Sequence, residues 1–206
     1  MKAIPAAIAL FAVLPAAAEE LEPPDGAVML TVTGKIGHTN RPAFDPLCDK
    51  FVAFHERGFK KAAEFDREML ESLGMSEAHI EFDGWNGPVT FRGPRLIDVL
   101  KKVGWHGAKI TTLALDGFGT AISKPQIDAH NWILATRGNG KPFDIGQRGL
   151  LWLVFDPPGD RPATTEEEGK WPWAIFLIEV QWGRRVFIGR AAFYAARHPT
   201  PDLNPA

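Results

Sequence analysis

Few chemically capable side chains stand here in a spacing that does chemistry unaided. His79, Glu81 and Asp83 alternate along one predicted strand, and residues of period two share a face. Such a row suits a metal ion, and the wet face of a half-buried strand gives the same pattern. Asp116 ends an apolar run just before Gly117, as a buried catalytic acid would, or as a carboxylate capping its own turn would. Arg137, Lys141 and Arg148 surround the Asn139-Gly140 pair. Three cations there suit an anion or phosphate, and a solvated hairpin end is the plainer reading. Cys48 is the only cysteine, so no internal disulfide forms. It reads as a small buried apolar residue, with a reactive thiol or metal ligand as the alternative. There is no phosphate loop, HExxH, CxxC or GxSxG.

The elements that would position these residues follow from periodicity. Val28–Gly34 reads as a first strand, and residues 45–55 have helical spacing with Leu47, Phe51 and Phe54 on one side. A helix over 66–73 has Asp66 as N-cap and Gly74 as stop. Residues 79–83 alternate as a strand, 84–87 turn, and 89–91 begin another strand that ends at Arg92-Gly93-Pro94. Pro94 opens a helix that buries Leu96, Val99 and Leu100, carries Lys101 and Lys102 at its negative end and closes at Gly104. Strands are expected over 109–115, 132–136, 150–155 and 174–180, with a tight turn at Asn139-Gly140. The stretch 164–170 reads as an exposed acidic loop. Strands and short helices mix without a βαβ rhythm, so the expected class is α+β, one domain with a mixed-sheet, barrel-like core.

Composition bounds the setting. Lys2 precedes an apolar run over 4–14, and Ala16-Ala17-Ala18 stands before Glu19. That pattern is a secretory leader with cleavage expected after Ala18, and the run is too short for a membrane anchor. The expected location is periplasmic or secreted. The whole chain of 206 residues has a formal charge of −2, which gives no reason to expect nucleic acid. The length remaining after cleavage supports a core without staples. Seven tryptophans against one tyrosine point to an indole-rich core and pocket lining. The tail over 182–206 is basic through Arg184, Arg185, Arg190 and Arg197, and Val186, Phe187, Ala191 and Tyr194 have the spacing of one apolar helix face.

The order of the segments resembles the oxidoreductase molybdopterin-binding domain, the sulfite-oxidase-like fold. The resemblance runs from Leu30-Thr31-Val32-Thr33-Gly34 through Thr90–Leu100, Ala114–Phe118 and Ile133–Pro142 to Gly149–Phe155 and Trp173–Val180, within residues 28–181. Residues 42–63 then look like an insertion. The resemblance implies a molybdenum cofactor held by a cysteine thiolate ahead of the helix that follows Gly93. Residues 78–92 contain no cysteine, and Cys48 lies upstream. It also implies an arginine where Trp152 stands and basic residues where Ile175, Phe176 and Leu177 stand.

Two readings follow. The first is a non-catalytic periplasmic ligand-binding or accessory module with no cofactor, using the former cofactor cleft for a small molecule or a partner protein. The second is a molybdopterin-dependent oxidoreductase with another metal ligand, such as Asp83 or Cys48. Under either, Trp85, Arg92, Asp116 and Arg137 are expected to converge at one rim, with Lys141 and Arg148 nearby.

Overall fold

The computed structural model describes residues 21–159 and 161–183. The expected leader, and the tail beyond Gly183, lie outside the described residues. The chain runs β1 (Leu30–Gly34), α1 (Lys50–Phe54), β2 (Ala62–Phe65), α2 (Arg67–Ser72), β3 (Ser76–Ile80), β4 (Val89–Gly93) and α3 (Leu96–Lys102). It continues with β5 (Lys109–Ala114), β6 (Ala121–Ser123), α4 (Lys124–Ala129), β7 (Trp132–Ala135), β8 (Arg137–Gly138), β9 (Lys141–Pro142), β10 (Trp152–Phe155), α5 (Thr165–Glu168) and β11 (Ile175–Gln181). It is a mixed α and β protein, mostly sheet, with short helices.

The strands form three sheets, in the orders β2-β1-β11-β5-β6, β10-β7 and β3-β4-β8-β9. β1 and β11 pair in parallel and every other ladder is antiparallel. The barrel-like closure expected from sequence is not formed. Single bridges, Arg95 to Ile133 and Trp152 to Trp173, tie the small sheets to their neighbours without continuing a ladder. Between the sheets lies one main core that includes Leu30, Phe65, Leu70, Phe91, Leu96 and Ile133, all within 1 % of full burial. Fully burying side chains of this size contributes roughly 1.5–3 kcal/mol each.

Several elements stand as their local chemistry dictates. The Asp66 carboxylate accepts from the Met69 N–H at 2.8 Å, and Gly74 takes φ 100° where α2 stops. Leu96, Val99 and Leu100 are the buried face of α3. Asn139 and Gly140 take φ 48° and 76°, the left-handed pair that a two-residue hairpin requires.

Others differ from expectation. The helix expected over 45–55 shortens to α1. Asp45 and Asp49 accept backbone N–H groups at Leu47 and Asp45, and such local side-chain bonds compete with helical ones. Its buried residue is Val52, while Leu47, Phe51 and Phe54 are exposed. Val52 joins Leu113 and Leu177 in a small second core on the outer face of the five-stranded sheet, with Phe44, Phe59 and Phe176 packed around it. β3 pairs with β4 from Ser76–Gly93 to Ile80–Val89, so the strand ends before Glu81 and Asp83. The stretch 164–170 is not a plain loop. Thr164 and Glu167 form a reciprocal capping box that starts α5. Among the described residues no helix is long and apolar enough to cross a membrane.

Candidate functional site

The expected rim does not assemble. Arg92 on β4 and Arg137 on β8 are register partners, so their side chains are neighbours on one sheet face. Lys141 pairs with Gly138, one position out of step, and therefore faces the opposite side from Arg137. Trp85 packs against Phe91, again on the face away from Arg92. Asp116 lies in the turn between β5 and β6 of the five-stranded sheet, where its Oδ1 accepts from the Phe118 N–H at 2.9 Å. It caps its own turn.

The two neighbouring arginines are each matched by a carboxylate. Arg92 meets Glu77, its partner across β3, at 2.8 Å. Arg137 donates through Nε and a terminal nitrogen to the two oxygens of Glu71 on α2, both at 3.0 Å. Glu71 also accepts from the Thr136 hydroxyl at 2.9 Å, and Arg67 donates to the carbonyls of Thr136 and Phe143. Burial opposes ionisation of Glu71. The bonds from Arg137 and Thr136, with the charges of Arg137 and Arg67, outweigh it and hold the carboxyl below its ordinary value. This network stitches α2 to the β8–β9 hairpin. A cleft of about 690 Å³ beside it is lined by Met29, Leu150, Asp66, Arg67 and Glu71. Three of its four charged groups, Asp66, Arg67 and Glu71, are already engaged in holding the fold, so the larger cleft is the weaker candidate.

A smaller pocket of about 310 Å³ brings together two of the expected residues. Trp85, Arg148 and Trp152 line it, with Gly84, Asn86 and Val89. Local structure fixes each wall. The Trp85 N–H closes a turn onto the Phe82 carbonyl at 2.9 Å, and the half-buried ring lies 5.4 Å from that of Trp152. Trp152 is buried on β10, with its indole N–H on the Trp171 carbonyl at 3.2 Å. The Arg148 guanidinium stacks over Trp152 at 4.4 Å from the ring centroid, a cation–π contact worth about 0.5–1 kcal/mol at an exposed site. Its backbone is pinned as well, because the Ala174 N–H donates to the Arg148 carbonyl at 2.8 Å. Ala174 holds φ 54°, a left-handed conformation that non-glycine residues adopt at a cost, and it abuts Gly149 at φ 76°. Strain of this kind concentrates at functional sites.

Arg148 meets Glu168 only at 4.0 Å, and an exposed pair of that length is worth about 0–1 kcal/mol. Its donors therefore remain able to turn to a ligand. Close by, the buried Trp171 Nε1 has no hydrogen-bond acceptor among the described residues, and its ring lies 6.3 Å from that of Trp85. Trp85 and Arg148 are legible in the sequence, whereas Trp152 stands out there only as a departure from a family pattern. No local signal marked Asn86 or Trp171.

His79 bonds to the Thr90 hydroxyl, and no three His, Cys, Asp or Glu side chains among the described residues gather to hold a metal ion. Cys48 is exposed rather than buried. The Asp45 carboxylate beside it, by hydrogen bond and by charge, pushes its thiol above the ordinary value. That disfavours the thiolate that molybdenum ligation needs. A pyranopterin phosphate calls for several cations; the pocket supplies Arg148 alone, with Arg92 and Arg137 paired elsewhere. The residues present do not fit a thiolate-held molybdenum centre. No family model matches the chain, and no curated protein matches it.

Proposed function

We propose that the chain is an exported, non-catalytic binding module that holds a small planar ligand carrying an anionic or strongly accepting group. We infer too that its scaffold is that of the oxidoreductase molybdopterin-binding domain, on the segment order that resembles it. The observation that carries the reading is the stacked Arg148–Trp152 pair, with the half-exposed Trp85 against Trp152, in the lining of one open pocket. An indole and a guanidinium in one lining suit a flat ring with a carboxylate or phosphate. A pocket of about 310 Å³ stands at the lower end of small-molecule sites.

Native mass spectrometry of the protein isolated from its producing cells tests this. The expected spectrum carries a small-molecule adduct of constant mass that is lost in Arg148→Ala. An adduct-free spectrum from freshly isolated protein, or an adduct unchanged in Arg148→Ala, would overturn it.

A further inference from the structure

Leu47, Phe51 and Phe54 carry the spacing of a buried stripe, yet they are 77 %, 43 % and 63 % exposed. His55 packs its ring against Phe51 and Phe54 at 4.8 and 5.3 Å, and Phe176 of β11 meets Phe51 at 4.9 Å. A Cβ on Gly117 would sit 3.4 Å from the same His55 ring, so the turn that carries Phe118, itself 48 % exposed, abuts this cluster. The outer side of the five-stranded sheet thus presents an exposed aromatic surface, and apolar surfaces of that kind mark interaction sites. Asp45, Glu56 and Asp116 are exposed around it, against one exposed cation on α1, Lys50.

We propose that this surface is the docking site of the chain's own C-terminal segment, residues 184–206. Charge selects it: Arg184, Arg185, Arg190 and Arg197 stand against one carboxylate side chain, Asp202, and complement the acidic rim. Side-chain type selects it, because Val186, Phe187 and Tyr194 supply the apolar groups that an aromatic surface buries. Reach permits it. Phe176 is near the start of β11 and Gln181 ends the strand, so the segment leaves the sheet about 20 Å away at ~3.3 Å per residue. Fully extended, it spans on the order of 70 Å. The expected leader over 1–18 has Lys2 as its one cation and lacks this complementarity.

The single cysteine supplies the probe. A nitroxide on exposed Cys48 of the full chain, with isotope-labelled backbone amides, should broaden the signals of Val186, Phe187 and Tyr194. Phe54→Asp should restore their intensity. So should the paired reversal Arg184→Glu and Arg185→Glu, which leaves every described residue in place. Full tail intensity in the parent protein would overturn the proposal. Broadening only when label and isotope are on different molecules would also overturn it, in favour of a second copy as the occupant. Broadening that survives the substitutions on both sides would do the same.

Discussion

At the scale of single residues, two arginines that stand side by side on β4 and β8 have different importance. Glu71 grips Arg137 with two bonds at 3.0 Å and is itself only 22 % exposed, whereas Glu77 meets Arg92 at a site 58 % exposed. Hydrogen bonds to charged groups contribute about 1.5–3 kcal/mol where water is partly excluded; exposed pairs contribute about 0–1 kcal/mol. Glu71→Ala should therefore lower unfolding stability in urea by about 1–3 kcal/mol, and Glu77→Ala by less than about 1 kcal/mol. Equal losses would contradict the assignment. Sequence placed Arg137 among functional residues because it saw three cations near one turn. It had no means of seeing Glu71, 66 positions earlier, arrive from α2. Arg148 and Trp85 were legible as individually unusual residues; their meeting depends on how the 81–88 loop folds back toward Trp152, which no local pattern records.

At the scale of elements, close approach decides. Pro94 continues the line of β4 past its end, and its carbonyl accepts from the Leu134 N–H at 2.9 Å, which locks β4 to β7. A Cβ on Gly93 would lie 2.1 Å from the Leu134 carbonyl oxygen. Gly93→Ala should therefore cost at least about 2 kcal/mol, since backbone must move to admit it, read as a lowered midpoint of thermal unfolding. A midpoint within a degree or two of the parent would refute that contact. The α5 cap gives a pH signature. Arg161 donates to both Glu167 oxygens, and this outweighs burial; with Thr164 it pulls the Glu167 carboxyl down to about 2. A depressed carboxyl contributes stability above its unfolded value of 4.5, and that contribution fades as pH falls toward about 2. Protection of the Glu167 and Glu168 amides, relative to their intrinsic exchange at each pH, should fall across that window, and Glu167→Gln should remove that loss. The strands were legible because apolar runs and turns carry their own signals. α1 was overextended because two aspartates divert its backbone bonds, and α5 was missed because a single helical turn with no buried residue has no apolar period to read.

At the scale of the whole molecule, three sheets pack around one core, and each outer surface has its own character. The face that carries Arg92 and Arg137 is closed by ion pairs. The outer face of the five-stranded sheet is aromatic, with Asp45, Glu56 and Asp116 outnumbering Lys50 around it. The open pocket near β10 joins indoles to one arginine. The proposed binding function rests on that pocket, and its indoles report on it directly. Indole N–H spectra should be recorded before and after the co-purified molecule is stripped by unfolding and refolding. The Trp85 and Trp171 signals should move, while Trp105 and Trp182, which pack beside Lys124 and Lys35 elsewhere, stay in place. Trp85 and Trp171 signals that are identical in the two spectra would contradict the account.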